Sequence, residues 1–156
     1  MHRKQFLALI PAVFLSLAAC DPALAQQRGT KDDAKAMVEA AVAHAKKVGA
    51  EQALKDFQSD KATWMKKDLY VFAYDLQGNC RALVANDKMV GKNLLEMKDP
   101  NGKFFIREFI ALVNSKGAGW VDYDFADPLT RKMGSKSSYV QKLPGFDGFV
   151  GVGVYL

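Results

Sequence analysis

Aromatic side chains and two cations are the residues of this sequence whose types and positions could bind a small anion. Tyr70, Phe72 and Tyr74 alternate with smaller apolar residues in the run LYVFAYD at 69–75, so they share one face of a predicted strand. Pockets for small organic molecules are mostly apolar and carry a few placed polar groups. Further candidates for the aromatic walls of such a pocket are Trp120, Tyr123 and Tyr139, and the candidate cations are Lys136 and Arg107.

Lys136 decides between two interpretations of these residues. A buried ammonium needs a counter-charge, because it is costly to remove from water alone. A ligand carboxylate could supply that charge, with tyrosine hydroxyls completing its hydrogen bonds. In the plainer alternative Lys136 pairs with Asp122 or Asp124 on the next strand, and the aromatic residues are ordinary core. The sequence leaves both open.

Catalytic and metal chemistry find little support in the sequence. His44 is the one histidine after the first 25 residues, and it lies in a helical run far from the strands. The two cysteines, Cys20 and Cys80, form no CxxC motif, and Cys80 fits a buried apolar position. The glycines at 151 and 153 lie within a strand and open no phosphate loop. We therefore predict no enzyme, no cofactor and no metal.

The composition indicates one globular domain. The chain has 156 residues, of which 49% are hydrophobic and 25% charged. Its net charge of +5 falls to +4 without Arg3, Lys4 and Asp21, which lie before Gln26. Because charges of both signs are interspersed, a nucleic-acid partner is not expected.

The hydrophobic periodicity predicts helices alternating with groups of strands. A helix begins after Thr30, with an acid three residues on, and runs to Val48 before resuming at 50–57. Strands are predicted at 69–75 and after the turn at 75–79, a second helix at 104–114, and three strands at 120–125, 136–143 and 149–156. This order favours an α+β fold with an antiparallel sheet of about five strands in meander order.

The first 25 residues resemble an export signal. A basic start at His2, Arg3 and Lys4 precedes the apolar run 6–17, which is too short for a membrane span of ~20 residues. The small residues at 23–25 fit cleavage before Gln26. Alternatively, 17–20 resembles a lipobox, which would make 1–19 a lipoprotein signal and Cys20 an acylated N-terminus. Either route predicts a periplasmic protein, soluble or lipid-anchored.

The ordered segments of 31–156 resemble a bacterial single Cache domain of the second type. The matching pieces are LYVFAYD with Gly78, VGKNL at 90–94, Asp99 with GKFF at 102–105, GWVDY at 119–123, Asp127-Pro128, Lys136 with Tyr139, and 151–155. The resemblance implies a PAS-like fold at 30–156 with a long N-terminal helix and a small-ligand pocket on one side of the sheet. It implies extracytoplasmic sensing of small molecules, often short organic acids, and it does not imply catalysis.

The end of the sequence departs from that family. Members commonly continue into a second membrane helix and an output domain, whereas here Leu156 closes the last strand. We therefore expect a stand-alone exported module that binds a carboxylate and signals through a membrane sensor or transporter partner. Contact with the membrane would then come only through a lipid anchor. The alternative is a structural or inhibitory periplasmic lipoprotein without a small ligand.

Overall fold

The computed structural model describes residues 28–156, so the predicted export signal and Cys20 lie outside the described residues. The helices are α1 (Lys31–Val48), α2 (Ala50–Ser59), α3 (Lys61–Trp64) and α4 (Phe105–Lys116). The strands are β1 (Met65–Lys66), β2 (Leu69–Asp75), β3 (Cys80–Leu83), β4 (Ala118–Ala126), β5 (Met133–Lys142) and β6 (Gly148–Tyr155). Among these residues no helix is both long and apolar enough to cross a membrane.

Helix α1 forms where the sequence predicts it, and a capping box fixes its start. The Thr30 hydroxyl accepts a hydrogen bond from the Asp33 amide, while the Asp33 carboxylate accepts one from the Thr30 amide. Its buried stripe is composed mainly of small residues, which lets the helix approach the flat sheet closely. The stripe consists of Ala34, Met37, Val38, Ala41, Val42 and Ala45.

The sheet is antiparallel throughout, and its strand order is β1-β2-β6-β5-β4, with β3 also pairing with β2. The α+β, PAS-like fold expected from the sequence is therefore confirmed. The meander order was wrong in one respect, because β6 returns to the middle of the sheet and pairs with β2. All eight residues of β6 are buried, as a central strand requires.

Helix α1 covers one face of the sheet, and α4 covers the other. Val150, Val152 and Val154 of β6 lie on the face that packs against α1. The opposite face carries the aromatic residues of β2 and is covered by α4. There Phe109 stacks on Phe72 with ring centroids 5.6 Å apart, and Phe105 stacks on Tyr123 at 4.5 Å. This second face, called the aromatic face below, contains the candidate site.

The segment from 59 to 68, which connects α2 to β2, contains short elements that the sequence analysis did not predict. It includes α3 and the two-residue strand β1, which extends the sheet beside β2. Trp64 is buried and packs edge-on against Phe57 of α2 at 4.8 Å. A four-residue helix has too few positions for hydrophobic periodicity to reveal it.

Candidate functional site

The aromatic face buries one cation, Lys136 of β5. Its residue surface is only 1% exposed, and Nζ donates a hydrogen bond of 2.7 Å to the Tyr70 hydroxyl. The same nitrogen lies 4.2 Å from the centroid of the Tyr70 ring, 4.8 Å from Tyr155 and 5.5 Å from Phe125. Aromatic faces attract cations through their quadrupole, so this cage favours a protonated amine but offers it no negative charge.

Gly153 makes room for this lysine. It lies on β6 opposite Ser138 of β5, and its Cα faces the Lys136 side chain. A Cβ at this position would collide with Cε of Lys136 and Oγ of Ser138. The neighbouring Gly151 similarly accommodates the Phe72 ring. Because Gly151 and Gly153 have no side chains, the Phe72 ring and the Lys136 side chain can both pack against β6.

Burial lowers the pKa of Lys136 from 10.5 to about 7, and the charges of Asp68 and Asp127 offset part of that decrease. Of the described residues, no carboxylate lies within 4.0 Å of Nζ. The pairing with Asp122 or Asp124 considered from the sequence is not formed. Those carboxylates accept hydrogen bonds from Ser137 at 2.5 Å and Ser135 at 2.9 Å instead.

A small cavity of about 20 Å³ lies beside Lys136 and has about the space of one water molecule. A second cavity of about 230 Å³ adjoins it and shares the walls Tyr70, Tyr74, Leu83 and Phe125. Five predicted site residues line the inner cavity: Tyr70, Phe72, Tyr74, Tyr123 and Lys136. The structure thus brings together most of the predicted set, beside a larger space that extends toward Met89, Met97 and Pro128.

The tyrosines of this region are neutral hydrogen-bonding groups. Burial raises the pKa of Tyr70 to about 12, and it raises those of Tyr74 and Tyr123 as well. The Tyr123 hydroxyl lies 3.0 Å from Oγ of Ser138, and Tyr155 donates to the Ala126 carbonyl at 2.5 Å. None of these phenols ionises near neutral pH, so none neutralises Lys136.

Three predicted site residues lie elsewhere. Arg107 projects from α4, where its half-exposed side chain pairs with Glu96 and stacks over Phe104 at 4.1 Å. Trp120 and Tyr139 contact each other at 5.3 Å, beneath lysines of α1. They are cross-strand partners on the face that α1 covers, opposite to the aromatic face. The proposed ligand site below therefore does not include these three.

Sequence reasoning missed four residues around the cage of Lys136, namely Tyr155, Arg28, Asp68 and Asp127. Tyr155 contributes a ring to the lysine cage. Arg28, just before α1, forms ion pairs with Asp68 at 3.2 Å and with Asp127 at 2.5 Å. The hydrogen bond from Arg28 works against burial and holds the pKa of Asp127 below its usual value. These contacts join positions 40 and 99 residues apart, which no local pattern could connect.

Metal-binding groups and the Cys80 thiol are the remaining candidates for a chemical role. Within residues 28–156 no group of histidine, cysteine and acidic side chains could hold a metal ion. Cys80 is fully buried, its thiol lies 3.7 Å from the Ala82 carbonyl oxygen, and burial raises its pKa to about 11. A thiol in this state is a poor nucleophile, because the thiolate is the reactive form.

Comparison with known proteins settles the family. The model of the Cache domain matches residues 31–156. The chain belongs to the Cache domain family.

Among curated proteins it is 37% identical over 90 residues to the sensor histidine kinase MctS of Rhizobium johnstonii, covering 58% of this chain and 19% of the kinase. It is 29% identical over 119 residues to the methyl-accepting chemotaxis protein McpP of Pseudomonas putida, covering 76% and 21%. The Cache chain thus spans about a fifth of the length of these relatives.

Solved structures agree with this placement. A methyl-accepting chemotaxis protein from Vibrio parahaemolyticus superimposes with a TM-score of 0.68 at 27% identity, covering 80% of this chain and 87% of that one. A Cache chemosensory domain solved for its recognition of carboxylic acids gives 0.61 at 32% identity, covering 76% and 79%. A periplasmic sensor domain of a chemotaxis protein gives 0.63 at 25%, covering 90% and 99%. The Cache domain here is therefore a chemosensory ligand-binding domain by fold and family.

Proposed function

We propose that this Cache domain is an extracytoplasmic sensory module that binds a short organic acid against Lys136. The observation that carries the proposal is a fully buried amine without a carboxylate of the described residues within 4.0 Å. The carboxylate of a ligand would supply the missing charge, and charge-assisted hydrogen bonds of this type are stronger than neutral ones. The related Cache domain that recognises carboxylic acids supports the same ligand class.

The dimensions of the two cavities favour a small acid with one carboxylate. The inner cavity of about 20 Å³ is lined by aromatic rings and one cation and has room for about one water molecule, so at most a carboxylate oxygen of the ligand enters it. The adjoining cavity of about 230 Å³ supplies apolar walls from Leu94 and Met97 for the rest of the ligand. The ligand-contacting residues proposed are Tyr70, Phe72, Tyr74, Tyr123 and Lys136.

We further propose that the domain acts in the periplasm with a membrane sensor or transporter partner. The export-like start of the sequence and the likeness to a periplasmic sensor domain of a chemotaxis protein support that location. Intact-mass measurement of soluble and membrane fractions tests it. Mature chains beginning at Gln26 or at an acylated Cys20 are the two expected products, and a full-length cytoplasmic chain contradicts export.

Calorimetric titration of acetate, propionate, pyruvate and lactate into the purified domain tests the ligand class. We expect at least one acid to bind the wild type and to bind Lys136→Met much more weakly. Lys142→Met is the matched control, because Lys142 is an exposed lysine at the end of the same strand. Equal binding by the wild type and Lys136→Met contradicts the site. Binding of none of these acids contradicts the proposed ligand and favours a structural or inhibitory role.

A further inference from the structure

Arg28 joins two buried carboxylates at the edge of the lysine cage. Its guanidinium pairs with Asp68 through Nη1 and with Asp127 through Nη2, and the adjacent Gly29 amide donates to Asp68 at 2.7 Å. The side chains of Asp68 and Asp127 are 0% and 5% exposed. Two buried carboxylates therefore meet one cation at the point where the chain enters α1.

The same carboxylates also act on Lys136. Their charges favour its protonated form, although neither lies within 4.0 Å of Nζ. The Tyr155 ring is shared by the two cations, since its centroid lies 5.4 Å from Cζ of Arg28 and 4.8 Å from Nζ of Lys136. Arg28 and Lys136 are thus the two cations beside one pair of acids, and only Arg28 contacts those acids directly.

We propose that Arg28 is a positioning residue that tunes the anion affinity of the cavity by engaging Asp68 and Asp127. Because Arg28 offsets one of the two negative charges of these acids, a ligand carboxylate that approaches Lys136 meets less negative charge than it would without Arg28. This inference rests on the proposed function for its ligand, but not for its effect on the protonation of Lys136.

The charges near Lys136 determine whether a substitution raises or lowers its protonation and its affinity for an anion. Asp68 and Asp127 carry two negative charges, and their ion pairs with Arg28 offset one of them. Removing the charge of Arg28 leaves an excess of negative charge beside Lys136, which favours its protonation and repels an anion. Neutralising Asp127 has the opposite result, because it removes one of the two negative charges near Lys136 while Arg28 keeps its ion pair with Asp68. A purely structural role for Arg28 predicts no such reversal of sign.

NMR titration of ¹³C-labelled lysine measures the protonation of Lys136 directly. The ionisable and charged groups that face it are Tyr70, Tyr123, Tyr155, Asp68, Asp127 and Arg28. We expect Arg28→Met to raise the pKa of Lys136 above its wild-type value and Asp127→Asn to lower it. In Arg28→Lys, which keeps the charge, the pKa of Lys136 should stay near its wild-type value. In the double variant with Arg28→Met and Asp127→Asn, the pKa should return toward that value.

Arg81→Met is the matched control, because Arg81 also lies near carboxylates, those of Glu51 and Asp75, but stacks on Phe146 instead of the cage. It should leave the titration of Lys136 unchanged. An unchanged pKa of Lys136 in Arg28→Met overturns the inference. Should that variant not fold, Asp127→Asn decides: a lowered pKa supports the inference, and an unchanged or raised one overturns it.

Calorimetry with propionate adds the binding side of the test. We expect Arg28→Met to weaken propionate binding about tenfold, which lies within the usual range of couplings between two sites, and Asp127→Asn to strengthen it. Equal affinities in the wild type and both variants overturn the inference about anion affinity. Failure of propionate and the other acids to bind the wild type overturns the proposed function instead, and the NMR titration still decides the role of Arg28.

Discussion

Lys136 and Tyr70 form a hydrogen bond of 2.7 Å between residues 66 positions apart, and it joins β5 to β2 across the intervening strand β6. The bond satisfies one donor of the lysine but not its charge, because burial raises the pKa of Tyr70 to about 12 and keeps its hydroxyl neutral. The amine is therefore held in position and left without a counter-ion at the same time. That combination lowers stability, and it is the basis of the anion site that we propose.

The stability of the unliganded domain should rise with pH above 7 because of Lys136. Its pKa is about 7 in the folded protein and 10.5 in an unfolded chain, so the unfolded state binds more protons between these values. Stability is consequently lowest below pH 7 and recovers as the pH rises toward 10.5. The free energy of unfolding of the wild type, minus that of Lys136→Met, should increase by about 1.4 kcal/mol per pH unit in this window.

Urea unfolding at pH 7, 8 and 8.5 measures this difference. The upper limit of pH 8.5 lies below the ordinary pKa values of the Cys80 thiol (9.0) and the Tyr70 hydroxyl (10.0), so ionisation of these groups in the unfolded chain contributes little. A difference that does not depend on pH would show that Lys136 is protonated equally in the folded and unfolded chains.

Binding of an anion should be coupled to uptake of a proton. At pH 8 the amine of Lys136 is mainly neutral, and a ligand carboxylate beside it favours the protonated form. Calorimetric titration at pH 8 in buffers of different ionisation enthalpy should reveal an uptake approaching about one proton per ligand, and affinity should decline from pH 7 to pH 9. At pH 5.5 the uptake should vanish. Uptake that is the same at both pH values would assign the proton to another group.

Much of the sheet could be predicted from alternation alone. The period of two along β2 and β6 correctly separates Tyr70, Phe72 and Tyr74 from the residues that face α1. The same rule separates Trp120 from Tyr123 on β4, and Tyr139 from Lys136 on β5. Applied consistently, it would have kept Trp120 and Tyr139 out of the predicted pocket, where residue type had placed them.

Other parts of the site depend on contacts between distant segments. The approach of Arg28 to Asp127 requires the chain before α1 to meet the turn after β4, a relation set by the packing of α1 on the sheet. The position of β6 between β2 and β5 likewise follows from pairing of strands far apart in the sequence. Residue spacing carries neither piece of information, so the charge cluster beside Lys136 could only be found in the folded structure.

The packing of α1 on the sheet should be sensitive to a single buried charge. Ala41 is fully buried in the apolar stripe of α1, whereas its neighbour Ala40 is exposed on the same helix. Ala41→Asp places an unpaired carboxylate in that contact and should cost several kcal/mol, while Ala40→Asp should change stability by less than about 0.5 kcal/mol. Thermal and chemical unfolding compare the two. Similar melting temperatures for both variants would contradict burial of the stripe in the folded domain.

Gly153 should be required for the position of Lys136. A Cβ at residue 153 would collide with Cε of Lys136 and Oγ of Ser138, and both of these residues are buried. Gly153→Ala should therefore destabilise the domain by about 1–3 kcal/mol, a usual cost of overpacking, and should displace the amine from the Tyr70 hydroxyl. Because the displaced lysine no longer faces the cavity, binding of short carboxylates should weaken as well.

Gly134→Ala is the matched control for this change. Gly134 also lies in a strand of the same sheet, but a Cβ there would meet its nearest neighbour, Tyr155, at an ordinary 3.6 Å. This variant should keep wild-type stability within about 0.5 kcal/mol and bind the same acids. Chemical unfolding and calorimetric titration of both variants provide the comparison. If Gly153→Ala is as stable as Gly134→Ala and binds equally well, Lys136 has an alternative position that serves the site, and the proposed role of Gly153 is wrong.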